Sequence, residues 1–204
     1  MTLQFKKVLA VGAHPDDIEY SSLGFLLMQQ SGGASISVFV SSLGSIGDET
    51  SGQQRKLESD KGFKLDNFEV FYSENGVFDY AKTESEIRQL LLKNSFDCVV
   101  VHDPNDSHQE HRSIYEITSS AARRLSLSFI RYRSVSSNYN YRSNLYIGAD
   151  RFMKKKNETL KLHVSQKDKP YMQQKSIEDF HTFYNVGDNK EKFYESFFIE
   201  TLFD

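Results

Sequence analysis

The stretch that decides the fold is Val8-Leu9-Ala10-Val11-Gly12-Ala13-His14-Pro15-Asp16-Asp17-Ile18-Glu19. Its first four residues are apolar and end at Gly12, which is typical of a short buried strand. Apolar residues at helical spacing then run from Ser21 to Gln30 and stop at Gly32-Gly33, a common end signal for helices. A buried strand that leads into a helix is the first unit of an α/β fold.

The same alternation continues along the chain. Further strands are predicted at Ser35–Val40, Glu69–Tyr72 and Phe96–Val101, and further helices at Gln53–Gly62, Ser85–Lys93 and Glu110–Leu125. Strands that alternate with helices favour a parallel sheet covered by helices. We therefore predict a single α/β domain with a Rossmann-like, mainly parallel sheet flanked by helices.

The last third of the chain has a different character. Residues 129–147 are polar and rich in tyrosine, Lys154–Val164 is typical of a basic helix, and Phe193–Leu202 is typical of an edge strand. We expect one domain over residues 1–204. In it, residues 1–128 form the α/β core, and residues 129–204 form a C-terminal elaboration that supplies loops of the substrate site.

The composition is that of a globular protein with one core. The chain has 204 residues, of which 38% are hydrophobic and 26% are charged. Its net charge of -3 argues against binding to nucleic acid or to an anionic membrane. Cys98 is the single cysteine, and the apolar run Val8–Val11 is too short for a signal-peptide core or a membrane span. We expect a cytoplasmic protein without a membrane span, for which a homo-oligomer is an open option.

Histidines and carboxylates cluster at two predicted strand ends. One cluster lies within residues 12–19, and the other is His102-Asp103-Pro104-Asn105-Asp106-Ser107-His108-Gln109-Glu110-His111. Ligands of open α/β sheets bind at the carboxyl ends of parallel strands, so both clusters belong to the same edge of the sheet. A catalytic zinc takes three ligands from His, Asp or Glu and keeps one position open for water.

The spacing within each cluster suits such a site. His14 and Asp17 are three residues apart, which allows two ligands on one tight turn and leaves Asp16 to face the water that the metal activates. His108 and His111 are also three apart, so one can bind the metal while the other faces the substrate. A His-Asp-His set favours Zn2+, although Fe2+ or Co2+ would fit nearly as well. The competing interpretation of the first cluster is a turn in which an aspartate caps a helix. The second cluster disfavours it.

Two motifs resemble signatures of the PIG-L/LmbE-like de-N-acetylase family. Ala13-His14-Pro15-Asp16-Asp17 is similar to the family's AHPDD motif, and residues 104–112 are similar to its P-x-D-x-H-x-D-H motif. Weaker similarities are an R-x-x-E pair at Arg55 and Glu58, an H-x-S-Q stretch at residues 163–166 and an A-E-x-F-like stretch at residues 194–197. The resemblance runs through nearly the whole chain, and the two metal motifs are its specific part.

The resemblance implies a zinc-dependent hydrolase that removes an acyl group from an N-acetylated amino sugar or a sugar conjugate. By position, His14, Asp17 and His111 would bind the metal, and Asp16 would be the general base. His108 would face the tetrahedral intermediate, and when protonated it could stabilise the oxyanion. Either His108 or Asp16 could protonate the leaving amine, and the sequence leaves both open.

Two positions depart from the family's pattern. Glu110 stands where the second motif usually has Asp, and its extra methylene would change its reach toward a histidine that it orients. Asp106 is the other carboxylate predicted to support the metal ligands from behind. Ser107 replaces a frequent aromatic residue, which would open one wall of the substrate site. Neither departure removes a metal ligand.

Several other polar residues allow two interpretations. Arg55 could bind an anionic group of the substrate, or it could form a surface pair with Glu58. His102 is interpreted as structural, His163 as a lining residue of the site, and Lys154–Lys156 as a solvated helix face. Four tyrosines would more often cover a hairpin than stack on sugar rings: Tyr132, Tyr139, Tyr141 and Tyr146.

Other functions compete with N-deacetylation. The same site could hydrolyse a formyl amide or a larger acyl amide. A non-catalytic metal- or sugar-binding module of this fold would have no need for Asp16 beside the metal. A nucleotide-binding module is disfavoured because the turn after the first strand lacks the G-x-G-x-x-G spacing. We predict an enzyme that acts on a small-molecule N-acyl sugar or its conjugate, without a nucleic-acid partner.

Overall fold

The computed structural model describes residues 3–44, 49–74, 76–182 and 191–203. The strands in these ranges are β1 (Lys7–Gly12), β2 (Ser35–Val40), β3 (Glu69–Tyr72), β4 (Cys98–His102), β5 (Ser128–Tyr132), β6 (Leu145–Gly148) and β7 (Tyr194–Thr201). The α-helices are α1 (Asp17–Ser31), α2 (Glu49–Leu65), α3 (Tyr80–Asn94), α4 (Gln109–Ala122), α5 (Asp150–Leu160) and α6 (Gln174–His181). Single 3-10 turns lie at Val164–Gln166 and Pro170–Met172. None of the described helices combines the length and the apolar character that crossing a bilayer requires.

The strands form one sheet in the order β3-β2-β1-β4-β5-β7-β6. β1 to β5 are parallel, whereas β7 runs antiparallel to both β5 and β6. The predicted α/β class with a mainly parallel sheet is therefore confirmed. The prediction of an edge strand at Phe193–Leu202 is wrong, because β7 is paired on both sides and β6 forms the edge.

The sheet has an apolar layer on each face. Val8 and Ala10 of β1 pack into the cluster that includes Phe25 of α1, whereas Leu9 and Val11 pack against the opposite cluster with α3 and α4. Burial on both faces explains why β1 and β4 have continuous apolar sequences instead of alternating ones.

Helix starts differ from the predictions for local reasons. α1 begins at Asp17, four residues before the predicted Ser21, and Asp16 precedes it with a left-handed φ of 105°. The Asp16 side chain makes no capping hydrogen bond, so the interpretation of this turn as a simple helix cap is wrong. α3 begins at Tyr80, before the predicted Ser85, because the Asp79 side chain accepts a hydrogen bond from the Lys82 N–H at 2.8 Å.

The C-terminal part is joined to the core more closely than the sequence indicates. α5 begins at Asp150 and not at Lys154, and its Lys156 is fully buried beside Glu195 of β7, with Nζ 2.6 Å from Oε1. The prediction of a solvated face is therefore wrong for Lys156. Tyr132 of β5 is also fully buried, and its hydroxyl donates to the Val11 carbonyl at 3.0 Å. It belongs to the core and not to a hairpin surface.

The sheet brings the two histidine-carboxylate clusters together. β1 and β4 are direct neighbours, with Val8 opposite Cys98 and Ala10 opposite Val100. The loops that follow these strands therefore leave the sheet side by side at the same edge.

Candidate metal centre

The turn that follows β1 directs the Asp17 carboxylate back toward His14. The His14 N–H donates to Asp17 Oδ2 at 2.7 Å, which closes the turn before α1. In this position the two oxygens of Asp17 face the imidazoles of the two histidines predicted to bind the metal. His14 Nδ1 lies 3.5 Å from Oδ2, and His111 Nε2 lies 3.5 Å from Oδ1.

The loop after β4 supplies the second histidine pair. His108 immediately precedes α4, and His111 lies in its first turn, where its ring is buried. The two rings stack with centroids 4.5 Å apart, and the His111 ring is 5.5 Å from that of His14. The structure thus brings together the three predicted ligands His14, Asp17 and His111, with His108 beside them.

The donor set fits a metal such as zinc. Ligands at about 2.1 Å from a tetrahedral zinc are about 3.4 Å from each other. Each of the two 3.5 Å separations that Asp17 makes, from Oδ2 to His14 and from Oδ1 to His111, agrees with this spacing for a pair of ligands. Two groups of three donor atoms lie within 4.8 Å of one another, and each contains two of the predicted ligands and one further histidine: His14 and His111 with His108, and Asp17 and His111 with His102. Two imidazoles and a carboxylate are ligands that zinc, iron and cobalt accept.

Charges within this cluster shift its pKa values strongly. Burial disfavours a charged His14, but hydrogen bonds to Asp17 and Glu110 outweigh it and raise its pKa to about 9. Burial likewise opposes a charged His111, yet Asp17 and Asp106 raise its pKa to about 10. For Asp17, burial would raise the pKa, but the charges of His111 and His102 hold it well below its usual value.

The two supporting carboxylates each contact a predicted ligand. Glu110 Oε2 lies 2.8 Å from His14 Nε2, so Nδ1 is the nitrogen that faces Asp17. Asp106 Oδ2 lies 3.1 Å from His111 Nδ1, so Nε2 is the nitrogen that faces Asp17. A carboxylate on the far nitrogen is the usual way in which proteins fix the tautomer of a metal-binding histidine.

Asp16 is buried beside the ligand set without belonging to it. Its Oδ2 accepts a hydrogen bond from the Tyr171 hydroxyl at 3.2 Å and lies 3.6 Å from Arg55 Nη2. Burial and the negative charge of Asp17 raise the pKa of Asp16 to about 6, against the opposing charges of Arg55 and His163. A carboxyl group with a raised pKa is typical of a group that exchanges protons during a reaction.

Arg55 is buried, so the interpretation as a surface pair with Glu58 is wrong. Its Nη1 donates to the Gly44 carbonyl at 3.1 Å and its Nη2 to the Pro15 carbonyl at 3.0 Å. Glu58 instead accepts hydrogen bonds from the backbone N–H and the hydroxyl of Ser165. Arg55 therefore ties α2 to the turn that carries Asp16.

His102 and His163 differ in their relation to the centre. His102 is fully buried, its Nε2 lies 3.1 Å from Asp17 Oδ2, and burial together with the charge of His111 lowers its pKa to about 4. It contacts a metal-ligand candidate, which the structural interpretation of His102 did not include. His163 does not line the cavity as expected; its Nε2 lies 3.1 Å from Glu19 Oε1 in the interior.

A cavity of about 1020 Å³ opens over the cluster. Polar residues of both metal motifs line its floor, and its walls include the apolar Val77, Phe78 and Val135. Tyr171 and Lys169 come from the segment after α5 and complete the wall. The motifs do not include Tyr171, and only the fold brings it to Asp16.

The fold of this chain matches known structures over nearly its whole length. N,N'-diacetylchitobiose deacetylase from Pyrococcus horikoshii has a TM-score of 0.78 and 18% identity, over 96% of this chain and 84% of that one. The zinc-inhibited form of teicoplanin deacetylase has a TM-score of 0.75 and 13% identity, over 94% of this chain and 97% of that one. The 4-carboxy-2-hydroxymuconate hydratase GalB from Pseudomonas putida KT2440 also has a TM-score of 0.75, with 12% identity, over 96% of each chain. At these identities the likeness establishes the fold.

Sequence comparison identifies the family. Curated protein sequences give no match to the chain. A family model described as GlcNAc-PI de-N-acetylase matches residues 9–122, which is more than half of the chain and includes both metal motifs. The chain therefore belongs to the PIG-L family.

Proposed function

We propose that the protein is a metal-dependent hydrolase that removes the acetyl group from an N-acetylated amino sugar or a sugar conjugate. The observation that carries this proposal is the buried carboxyl group of Asp16 next to the His14, Asp17 and His111 cluster, on the floor of an open cavity. A binding module would have no use for a carboxyl group of raised pKa at this place, whereas hydrolysis of an amide needs a base beside the metal.

We propose that His14, Asp17 and His111 hold the ion and that Zn2+ is the best fit, with Fe2+ or Co2+ as alternatives. When bound, the ion would supply a Lewis acid that activates a water molecule and polarises the amide carbonyl. A structural neighbour is known in a zinc-inhibited form, so the metal is best identified by loading each ion separately.

Asp16 is the proposed general base. Its carboxyl group is held by Tyr171 and faces Arg55, so it has a fixed orientation toward the cavity. It can accept a proton from the attacking water and, with its raised pKa, return one to the leaving amine. We therefore assign Arg55 to the orientation of Asp16 in preference to binding an anionic group of the substrate.

His108 is the proposed contact to the oxyanion. In the metal-free protein, burial together with the charges of His111 and His14 lowers the pKa of His108. A neutral imidazole still offers one N–H donor to a developing negative charge, as neutral histidines do in other active sites. His108 would stabilise the transition state without carrying a full charge.

We further propose a cytoplasmic location, because the single cysteine, Cys98, is a buried free thiol in β4. The cavity is large enough for a sugar together with part of its carrier.

Acetate release is the decisive measurement. The protein is loaded with Zn2+, Fe2+ or Co2+ and incubated with free, nucleotide-linked and lipid-linked N-acetyl sugars. Asp16→Asn should lower turnover by ~100-fold or more while the metal content is unchanged, because the base is removed and the ligands are not. Asp179→Asn, the same change at an exposed position of α6, is the matched control.

Three outcomes would point elsewhere. Release of formate or a longer acid from analogous amides, without acetate release, would indicate a different acyl group. Tight sugar binding without turnover would indicate a binding module. Full activity in Asp16→Asn would exclude Asp16 as the base.

A further inference from the structure

The segment that follows β5 contains a serine-rich turn beside the metal centre. Its members are Ser134, Val135, Ser136 and Ser137. The Ser134 N–H donates to Ser137 Oγ at 2.9 Å, and Ser137 forms a β-bridge with Asp106. None of these serines lies in the motifs of the sequence.

Two of these hydroxyl groups bind the carboxylate of Asp106. Ser134 Oγ donates a short hydrogen bond to Asp106 Oδ2, and Ser136 Oγ donates to Asp106 Oδ1 at 2.6 Å. The His108 N–H is a further donor to Oδ1, at 2.8 Å. The Asp106 side chain is completely buried, so these donors replace the water that an exposed carboxylate would have.

The fixed carboxylate in turn orients His111. Asp106 Oδ2 and Ser136 Oγ each lie 3.1 Å from His111 Nδ1. An N–H at Nδ1 that donates into this pair leaves Nε2 as the free lone pair, and Nε2 is the nitrogen that faces Asp17. Both hydroxyl groups thus act on the metal centre through Asp106, and that of Ser136 also contacts His111 directly.

We propose that Ser134 and Ser136 are positioning residues that fix the tautomer and the ring orientation of His111 through Asp106, and so set the affinity of the centre for its metal ion. This inference rests on the proposed function, because it assumes that His111 binds the metal. The turn also places Val135 in the wall of the cavity, so the segment that supports the metal ligand is the one that a bound substrate would touch.

The test is the dissociation constant of Zn2+, measured by competition with a chromophoric chelator. The double variant Ser134→Ala/Ser136→Ala should bind Zn2+ ~10- to 100-fold more weakly, the range typical for loss of such supporting partners. Ser136→Ala alone should weaken binding by a smaller factor, and Ser136→Thr, which keeps the hydroxyl group, should restore it. Ser120→Ala, at the exposed far end of α4, is the matched control and should bind as the unaltered protein does.

The possible results distinguish failure of the positioning role from failure of the proposed function. Zinc affinities of the double variant within twofold of the unaltered protein would overturn the positioning role. If the double variant does not fold, the comparison of Ser136→Ala with Ser136→Thr decides, because equal affinities would contradict the proposal. Zinc binding that depends on these serines, in a protein that releases no acetate from any substrate, would support the positioning role and refute the deacetylase function. If the unaltered protein binds none of Zn2+, Fe2+ and Co2+, both the inference and the proposed function are refuted.

Discussion

At the scale of single residues, the imidazoles of His14 and His111 can bind either a proton or a metal ion. Asp17 lies between His14 and His111, and its negative charge contributes to raising both pKa values, to about 9 and about 10. Near neutral pH both imidazoles of the metal-free protein are therefore protonated. A histidine must be neutral to bind a metal, so binding has to displace these protons.

We predict that binding of Zn2+ near pH 7.5 releases up to about two protons, one from each histidine. The affinity should rise with pH up to the range of about 9 to 10, where the imidazoles lose their protons without help. Titration calorimetry in buffers of different ionisation enthalpy measures the number released. His111→Ala should lower both the affinity and the number of protons. Release of no protons would contradict the prediction that metal binding displaces protons from these histidines.

At this scale the sequence predicts which loops meet, but it does not predict which side chains from distant segments point into the centre. His14, Asp17 and His111 could be predicted as neighbours because they follow adjacent parallel strands, and adjacency fixes where loops emerge. Tyr171 and Ser136 reach the same centre from segments without motif or spacing. Their contacts depend on how the C-terminal part packs, which no local pattern in the sequence encodes.

At the scale of elements, α1 is held by side chains from β7 and α5. Glu195 accepts the N–H groups of Gly24 at 2.7 Å and Phe25 at 2.6 Å, in the middle of the helix. Lys156 Nζ lies 2.6 Å from Glu195 Oε1 and donates to the Tyr20 carbonyl at 2.6 Å. This buried pair joins the C-terminal elaboration to the helix that begins with the metal-ligand candidate Asp17.

We predict that Glu195→Gln destabilises the fold by about 3 to 5 kcal/mol, because it leaves the buried Lys156 without its counter-ion. Gln is nearly isosteric, so the effect would come from lost charge and from an amide N–H2 that faces backbone donors. The urea midpoint provides the measurement. Glu158→Gln, at an exposed position of α5, should change the free energy of unfolding by less than about 0.5 kcal/mol. A loss of less than about 0.5 kcal/mol in the free energy of unfolding of Glu195→Gln would show that the ion pair with Lys156 is dispensable for stability.

The elements themselves were predictable to different degrees. The predicted ends of β2 and β3 agree with the observed ones, because β-branched and aromatic residues are concentrated in these two short segments. β5 lies in a polar, tyrosine-rich segment for which no strand is predicted, and β7 lies inside the sheet and not at the predicted edge. A strand's neighbours are set by pairing across the sheet, which the periodicity of a single strand does not report.

At the scale of the whole molecule, the sheet continues through the boundary that the sequence placed at residue 128. β5 begins at Ser128 and pairs with β4 on one side and with β7 on the other. The C-terminal elaboration therefore completes the sheet, covers α1 and supplies Ser134, Ser136 and Tyr171 to the centre. The core and the candidate metal centre therefore belong to one structural unit.

His181 of α6 links the stability of this unit to pH. It is buried where the elaboration meets α1, with Nε2 3.1 Å from Lys156 Nζ and 3.0 Å from the Tyr20 carbonyl, and with Nδ1 3.3 Å from the Tyr194 carbonyl. Burial, with the nearby charges of Lys156 and Arg133, lowers the pKa of His181 well below 6.5. The folded protein therefore keeps this imidazole neutral at mildly acidic pH.

We predict that this histidine destabilises the protein as the pH falls below about 6.5. In that range the unfolded chain binds a proton at His181 and the folded protein does not, so the free energy of unfolding rises with pH. This rise levels off above about pH 6.5, where His181 is neutral in the unfolded chain as well. Between about pH 7.5 and about pH 5.5 this one site accounts for about 1.3 kcal/mol. Urea unfolding at these two pH values measures the change in the free energy of unfolding. That change should be about 1.3 kcal/mol smaller in His181→Gln than in the unaltered protein, since glutamine does not titrate. Equal pH dependence in the two proteins would mean that His181 accepts its proton inside the fold, next to Lys156, and that α6 packs more loosely on α1 than its contacts imply.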